Sequence, residues 1–410
     1  MNSDLAHRLK RIFVQIEDYE SIIILSLIAL PLGIAIGLIE VVFAKGLELS
    51  TNMRLEHVVL CTAFLPVAGL IIAFVYATHG KNAAGGMGLV FEASRKKEEI
   101  PKRLAPLVMC SSWLTHLCGG SAGREGVAVQ IGATIADQIG QRLRIRNCRE
   151  TLIICGIAAG FASLFQTPFA AIFFSLEVLV CGELKYKSLF PAIVAAFSGY
   201  FTAHEFGLEK FYYYIPPEEL TLTLTLKLIA LGIIFAAAGV IFSESLKHTK
   251  RLLARKIPNP LLRIFICGSI LSVLFILLYN GRYSGFGTNI TLAALTGDEI
   301  YYWDWILKLL LTVATLSVGF QGGELTPLFS IGASLGAVIA APFGLPFDFV
   351  AALGFTALFG SATNTFLAPI LIGAECFGTN NLSSTVVVCA VAFFSNFGRS
   401  IYGSQKQLRI

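Results

Sequence analysis

Charged residues are scarce in this chain. They make up 14% of the 410 residues, whereas hydrophobic residues make up 55% and the mean hydropathy is +0.74. A soluble domain carries about 25% charged residues, so the composition excludes an ordinary soluble protein. The net charge of +5 lies mainly in short basic stretches that carry no basic–aromatic module, so we expect no nucleic-acid partner. The composition indicates a membrane protein.

Paired cysteines are also missing. The nine cysteines are scattered singly, and no Cys-x-x-Cys motif occurs. Isolated cysteines in apolar runs are usually small buried side chains. We therefore expect neither disulfides nor a metal site, and no residue pattern indicates a bound cofactor.

Long apolar runs are few, although apolar residues abound. A transmembrane helix needs about 20 mostly apolar residues. The clear candidates are Ile22–Phe43, Val58–Ala77, Leu224–Phe242, Leu262–Leu278 and Ile306–Val318. Other runs are short or interrupted by Gly and Pro, namely Gly85–Phe91, Gly126–Ile139, Pro168–Val180, Leu325–Ala340 and Pro369–Phe377. Broken helices at membrane depth must be buried in protein or line a cavity, which is typical of transporters and channels.

The chain resembles itself at an offset of about 200 residues. Gln130–Ile135 matches Ser330–Leu335, and each segment follows a Gly-Gly pair. Basic residues precede the first apolar run, which places the N-terminus in the cytoplasm by the positive-inside rule. We therefore predict an all-α polytopic membrane protein built from two repeats. Its parts are a cytoplasmic segment (1–19), a first repeat (20–205), a connector (206–220), a second repeat (221–402) and a tail (403–410).

One segment places a carboxylate between glycines inside the apolar chain. Residues 123–126 read Gly-Arg-Glu-Gly, with Glu125 at an apparent helix start. A carboxylate within the membrane usually marks an ion or proton pathway, and a helix start attracts anions. Neighbouring residues point apart on a helix, so we expect a poor ion pair between Arg124 and Glu125.

Three further segments are candidates for the same site. Residues 85–89 form a glycine-rich loop in which Met87 donates no hydrogen bond. The repeat partner at 319–327 contains Glu324, which suits either transport or the helix dipole, and the donor Thr326. Tyr402 is a phenol that could either donate to an anion or anchor the chain at the interface.

Residues 119–123 also fit Gly-x-Ser-x-Gly, the nucleophile elbow of serine hydrolases. Ser121 would be the nucleophile, and His116 lies nearby in sequence. The motif requires a strand-to-helix turn, but the surrounding pattern is helical. An intramembrane serine hydrolase is therefore a remote alternative, and we expect the protein not to be an enzyme.

These motifs resemble those of the CLC family of anion channels and anion/proton antiporters. The resemblance implies a CLC-type fold of tilted, broken helices in two inverted-topology repeats, assembled as a homodimer. It makes Glu125 the gating and proton-carrying residue. The anion-binding positions that it implies are Gly86, Met87, Gly88, Gly126, Val127, Leu325, Thr326 and Tyr402.

The departures from the family pattern resemble its bacterial fluoride/proton antiporter branch. Met87 stands where a chloride-contacting serine is usual, and Val178 stands where an inner proton-relay glutamate is usual. The resemblance implies fluoride export coupled to proton entry across the bacterial cytoplasmic membrane. Without a relay at Val178, Glu125 itself must reach the inner side, or Glu324 must help. A chloride or nitrate pathway of the same family remains the alternative.

Overall fold

The computed structural model describes residues 3–80, 82–145 and 148–407, with side chains from Tyr19 to Lys406 within these ranges. The described chain is almost entirely helical, as predicted, with one short parallel pairing of strands β1 (Val180–Cys181) and β2 (Lys406–Gln407). The helices are α1 (Ser3–Glu56), α2 (Val58–Ala63), α3 (Leu65–Thr78), α4 (Met87–Ser94), α5 (Leu104–Leu117), α6 (Glu125–Gly140), α7 (Cys148–Phe165), α8 (Pro168–Glu177), α9 (Leu189–Glu205), α10 (Leu222–Lys256), α11 (Pro260–Leu277), α12 (Thr288–Thr296), α13 (Asp304–Val318), α14 (Leu325–Phe343), α15 (Phe347–Thr363), α16 (Leu367–Phe377) and α17 (Leu382–Phe394). Two single 3₁₀ turns occupy Tyr186–Ser188 and Tyr279–Gly281.

Five described helices are long and apolar enough to cross a membrane: α1, α7, α10, α11 and α14. The prediction of one continuous span at Val58–Ala77 is wrong, because the chain breaks at Phe64 between α2 and α3. Pro66 in the first turn of α3 has no N–H to continue the preceding turn.

Two other span assignments also differ. The predicted span Ile306–Val318 lies in α13, which has only 15 residues. Conversely, the stretch Leu325–Ala340 belongs to a 19-residue helix that is long enough to span. Sequence reasoning also missed α7 as a possible span. Of its 18 residues, 89% are buried inside the protein. Helices enclosed by other helices need no continuous lipid-facing apolar surface, so their sequences show weaker hydropathy signals.

The two halves of the chain present helices in the same order. Helices α3–α9 of the first half correspond in order to helices α11–α17 of the second half, which α10 precedes. Corresponding helices, such as α5 and α13 or α8 and α16, have similar lengths. The segment between Glu205 and Leu222 is not helical. This order supports the proposed division into two repeats joined near residues 206–220. Residues 1–2 of the proposed N-terminal segment and 408–410 of the proposed tail lie outside the described residues.

Glycines allow the central helices of each half to approach closely. A Cβ atom at Gly132 of α6 would overlap the carbonyl oxygen of Gly156 in α7. The same relationship recurs between Gly332 of α14 and Gly354 of α15. Small residues at such crossings are what membrane helices use to pack without a hydrophobic driving force. This packing fixes α6 and α14, whose first residues form the candidate site.

Candidate functional site

Glu125 is the first residue of α6 and is completely buried. Its carboxylate accepts a close hydrogen bond from the Thr326 hydroxyl at the start of α14. The Thr326 hydroxyl oxygen also accepts a hydrogen bond from the backbone N–H of Arg124, at 3.2 Å. The second carboxylate oxygen, Oε1, has no hydrogen-bond partner. The carboxylate therefore occupies the position where a mobile anion would meet the two helix starts.

Arg124 and Glu125 lie closer than the sequence predicted. The guanidinium Nε is 3.5 Å from Glu125 Oε1, which is an ion pair without a hydrogen bond. The missing hydrogen bond agrees with the prediction of a poor pair, although the two charged groups lie within ion-pair distance. Arg124 is also partly exposed, so it connects the buried carboxylate to the protein surface.

The starts of α6 and α14 are joined directly by their backbones. Gly123 N–H donates to the Gly323 carbonyl at 2.6 Å, and Gly323 N–H donates to the Gly123 carbonyl at 2.7 Å. A Cβ atom at Gly323 would lie 2.8 Å from the backbone nitrogen of Gly126, so this junction requires glycine. Two helix N-termini thus meet at one point, where their dipoles favour negative charge.

Glu324 and Tyr402 lie beside this junction. A Cβ atom on Gly126 would lie 3.4 Å from Glu324 Oε2, so this half-buried carboxylate faces the first turn of α6. Tyr402 is 6% exposed, its hydroxyl has no partner, and it lies within electrostatic range of Glu324. The structure therefore brings Glu125, Glu324 and Tyr402 around the two helix starts.

Met87 begins a third helix directed into the same region. Gly86, with φ +51°, precedes α4, and Met87 is 8% exposed. A Cβ atom at Gly86 would lie 3.5 Å from the Gln130 amide oxygen of α6. The Phe91 ring of α4 packs 5.2 Å from the Tyr402 ring. The predicted loop is therefore connected to both α6 and Tyr402.

Two predicted backbone donors are already engaged. Val127 N–H donates to the Arg124 carbonyl at 3.0 Å, and Gly88 N–H donates to the Gly85 carbonyl at 2.9 Å. Both amides therefore close the first helical turn in this structure, and the anion-binding role of Val127 and Gly88 stays a prediction. Leu325 stays a predicted amide donor and is fully buried.

The acid next to Val178 caps a neighbouring helix. Glu177 ends α8, and its carboxylate accepts the backbone N–H groups of Phe366, Leu367 and Ala368 at the start of α16. Val178 is fully buried, and its carbonyl accepts a hydrogen bond from the Gln405 side chain at 3.0 Å. This end of α8 therefore presents no free titratable group.

Glu375 forms the reciprocal contact in the second half. Its carboxylate, near the end of α16, accepts the N–H groups of Phe169 and Ala170 at the start of α8. A carboxylate near a helix N-terminus is stabilised by the helix dipole. Glu177 and Glu375 thus each cap the start of the other's helix and hold α8 and α16 together. Their sequence context did not predict this capping role.

The serine of the Gly-x-Ser-x-Gly segment does not face a histidine. The Ser121 hydroxyl forms a hydrogen bond with the Thr312 hydroxyl at 2.8 Å and accepts a hydrogen bond from Lys308 Nζ at 2.9 Å. The His116 ring instead packs 4.3 Å from Phe286. Ser121 is fully buried in the loop between two helices, without the strand that a nucleophile elbow requires. The hydrolase alternative is therefore wrong, because Ser121 has no histidine partner and does not lie at a strand-to-helix turn.

Two site residues were missed by sequence reasoning. Gln130 lies beside Gly86 and is 7% exposed, and a buried amide among apolar residues was the available signal. Phe91 was one of many phenylalanines in the chain, and its contact with Tyr402 depends on tertiary structure alone.

Comparison with protein families places the chain among ion-conducting membrane proteins. The model of the voltage gated chloride channel family matches residues 68–396. A chloride/fluoride channel protein of Pseudomonas syringae pv. tomato is 34% identical over 389 residues, which cover 93% of this chain and 85% of that protein.

Solved structures of similar proteins lead to the same family. The crystal structure of a CLC-type fluoride/proton antiporter is 49% identical, with a TM-score of 0.92, and the match covers 94% of this chain and 98% of that one. The structure of a slow cyanobacterial Cl⁻/H⁺ antiporter matches with a TM-score of 0.82 at 19% identity, over 92% and 96% of the two chains. The second match shows the shared fold.

Proposed function

Because the chain belongs to the voltage gated chloride channel family, we propose that it is a fluoride/proton antiporter that exports fluoride as protons enter. The protein is a membrane transporter and not an enzyme. Its fluoride and proton substrates follow from its likeness to the chloride/fluoride channel protein and the fluoride/proton antiporter.

The observation that carries the mechanism is the contact between Glu125 and Thr326. An ionised carboxylate at two helix N-termini accepts the Thr326 hydrogen bond that a fluoride ion would also accept. The carboxylate and the anion therefore compete for one position. Protonation removes the negative charge of Glu125 and weakens its attraction to the helix starts, which frees the position for fluoride. The proton then travels on Glu125 as fluoride leaves.

Selectivity for fluoride is assigned to Met87 and Thr326. Fluoride is strongly hydrated, so its site must replace water with short, strong hydrogen bonds. Thr326 supplies a hydroxyl at the helix start. Met87 withholds the donor that a serine would offer to a larger halide, which disfavours the competitor instead of strengthening fluoride binding.

The inner half of the proton route lacks a dedicated relay. Val178 cannot carry a proton, and Glu177 is held by three backbone N–H groups. Glu125 itself must therefore reach the inner side, or it must exchange its proton with Glu324. The approach of Glu324 to Gly126, one residue beyond Glu125, supports the second route.

Assembly and location complete the proposal. A homodimer with one pathway per subunit is supported by large aromatic side chains exposed on α8, α9 and α17, namely Phe169, Phe190, Phe201 and Phe394. We place the protein in the bacterial cytoplasmic membrane with a cytoplasmic N-terminus, which agrees with the basic residues that precede the first apolar run.

The test is anion efflux from liposomes that hold the purified protein. Fluoride- and chloride-selective electrodes follow the anions while a pH electrode follows the protons. We expect fluoride efflux accompanied by proton uptake, with little chloride movement. Chloride or nitrate efflux at a comparable rate would assign the chain to the alternative, a general anion pathway. Fluoride efflux without proton movement would contradict the antiport mechanism.

A further inference from the structure

Two buried cations lie close to the loop before Glu125 without any acidic partner. Arg54, in the last turn of α1, is 6% exposed, and Lys308, in α13, is completely buried. Neither forms an ion pair within the described part of the chain. Lys308 Nζ donates to the carbonyls of Tyr283 and Gly285 at 3.0 and 2.8 Å, besides Ser121. Arg54 Nε donates to the carbonyl of His116 at 3.1 Å.

The two cations share one small region. A Cβ atom at Gly285 would lie 3.1 Å from Arg54 Nη2 and 3.9 Å from His116 Nδ1, and the Gly285 carbonyl is a Lys308 acceptor. Arg54 and Lys308 also lie within electrostatic range of each other and of His116. Like charges held together in a low-dielectric interior repel one another strongly.

Unpartnered polar side chains lie in the same region. His116 is completely buried, and its ring makes one loose hydrogen bond, to the backbone of Gly123. The hydroxyls of Thr62 and Ser284 are also without partners. They flank Gly119, because a Cβ atom there would lie 2.9 Å from Thr62 Oγ1 and 3.3 Å from Ser284 Oγ. Buried polar groups normally have a hydrogen-bond partner, and the described chain supplies none for the two hydroxyls.

The charge of this region is not balanced from within. The nearby Arg282 is paired with Asp304 at 2.7 Å, and Arg124 is paired with Glu125. The ends of α1 and α5 offer partial negative charge of about half a unit each to Arg54. Together these two helix ends amount to about one negative charge, which balances Arg54. With Lys308 protonated, one positive charge remains without a counter-charge.

We propose that Arg54, Lys308, His116, Thr62 and Ser284 form a second anion site, which holds one small hydrogen-bond-accepting anion. Fluoride is the anion of this kind that the protein handles. The anion supplies one negative charge beside the two cations and accepts hydrogen bonds from the unpartnered hydroxyls. Phe286 lies between this site and Arg124. The centroid of its ring is 4.3 Å from that of the His116 ring and 5.4 Å from the guanidinium carbon of Arg124. The site is thus separate from the Glu125–Thr326 position but adjacent to it.

The test is calorimetric titration of the purified full-length protein in detergent with sodium fluoride. The first variant combines Thr62→Val with Ser284→Ala, which removes only hydroxyls that lack partners and should leave the fold intact. We expect the binding stoichiometry to fall by one fluoride per chain, while the fluoride bound at the Glu125–Thr326 position remains.

A second pair of variants tests the charge. Lys308→Met should abolish the same binding event, and Lys256→Met, the matched change at an exposed lysine, should not. An unchanged stoichiometry in the double variant would overturn the proposal, since the hydroxyls would then hold water alone. If Lys308→Met does not fold, the double variant decides. Fluoride efflux is measured separately, so failure here leaves the antiport mechanism standing.

Discussion

The Thr326 hydroxyl and the Glu125 carboxylate form a hydrogen bond across the junction of α6 and α14, although 201 positions separate them in sequence. The paired backbone bonds between Gly123 and Gly323 fix this contact. A residue from each half of the chain is therefore required to build the site.

Replacing Glu125 with Gln should abolish proton coupling. Glutamine keeps the size of the side chain but cannot take up or release a proton. We expect fluoride movement in liposomes to occur without accompanying proton uptake, or to stop altogether. Coupled proton uptake that persists in this variant would show that another group carries the proton.

Thr326→Val should weaken fluoride binding. The change preserves side-chain shape but removes the hydroxyl that bonds to Glu125, and hydrogen bonds to charged groups contribute about 1.5–3 kcal/mol. We expect fluoride affinity, measured by calorimetry, to fall by roughly ten-fold or more. Thr326→Ser is the matched control and should stay near the wild-type value; equal losses in both variants would implicate packing instead.

Met87→Ser should admit chloride. The serine hydroxyl would offer a donor at the start of α4, where methionine has none. We expect the ratio of fluoride to chloride efflux rates to drop by roughly ten-fold, equivalent to about 1.4 kcal/mol of discrimination. Met87→Leu, which also lacks a donor, should keep the wild-type ratio, and a drop there would argue against hydrogen bonding as the cause.

Glu177→Gln should destabilise the protein without changing coupling. The carboxylate accepts three N–H groups, and the glutamine amide would turn an NH₂ group toward those donors. We expect a loss of about 1.5–3 kcal/mol in the free energy of unfolding, seen as a lower midpoint in thermal denaturation. The ratio of protons to fluoride should match that of the wild type; an altered ratio would place Glu177 in the proton route.

Gly132→Ala should disturb the crossing of α6 and α7. The added Cβ would overlap the Gly156 carbonyl, and overpacking of this kind costs about 1–3 kcal/mol. We expect lower thermal stability and slower fluoride efflux, because α6 carries Glu125. Gly403→Ala is the control, since no atom lies within 4 Å of the added Cβ, and an equal effect there would exclude packing as the explanation.

Sequence reasoning identified the three segments that form the site. Glycine-rich breaks in apolar runs marked the starts of α4, α6 and α14, and the structure brings the predicted residues Met87, Glu125 and Thr326 to these starts. It did not predict that the amides of Val127 and Gly88 close their own turns. Backbone pairing at a helix start depends on where the first turn begins, which differs by one or two residues from what a pattern can locate.

The amino-acid sequence by itself determined the class of protein, its helical character and the residue types at the site. These follow from composition, glycine placement and an isolated carboxylate, which are local properties of the chain. Only the tertiary structure decided what each polar group bonds to. Glu177 caps the start of α16, Lys308 donates a hydrogen bond to Ser121, and Arg54 lies close to Gly285. Each of these contacts joins residues that are far apart in the sequence. Inside a membrane, buried polar groups must be satisfied within the protein, and the partners that satisfy them are set by helix packing.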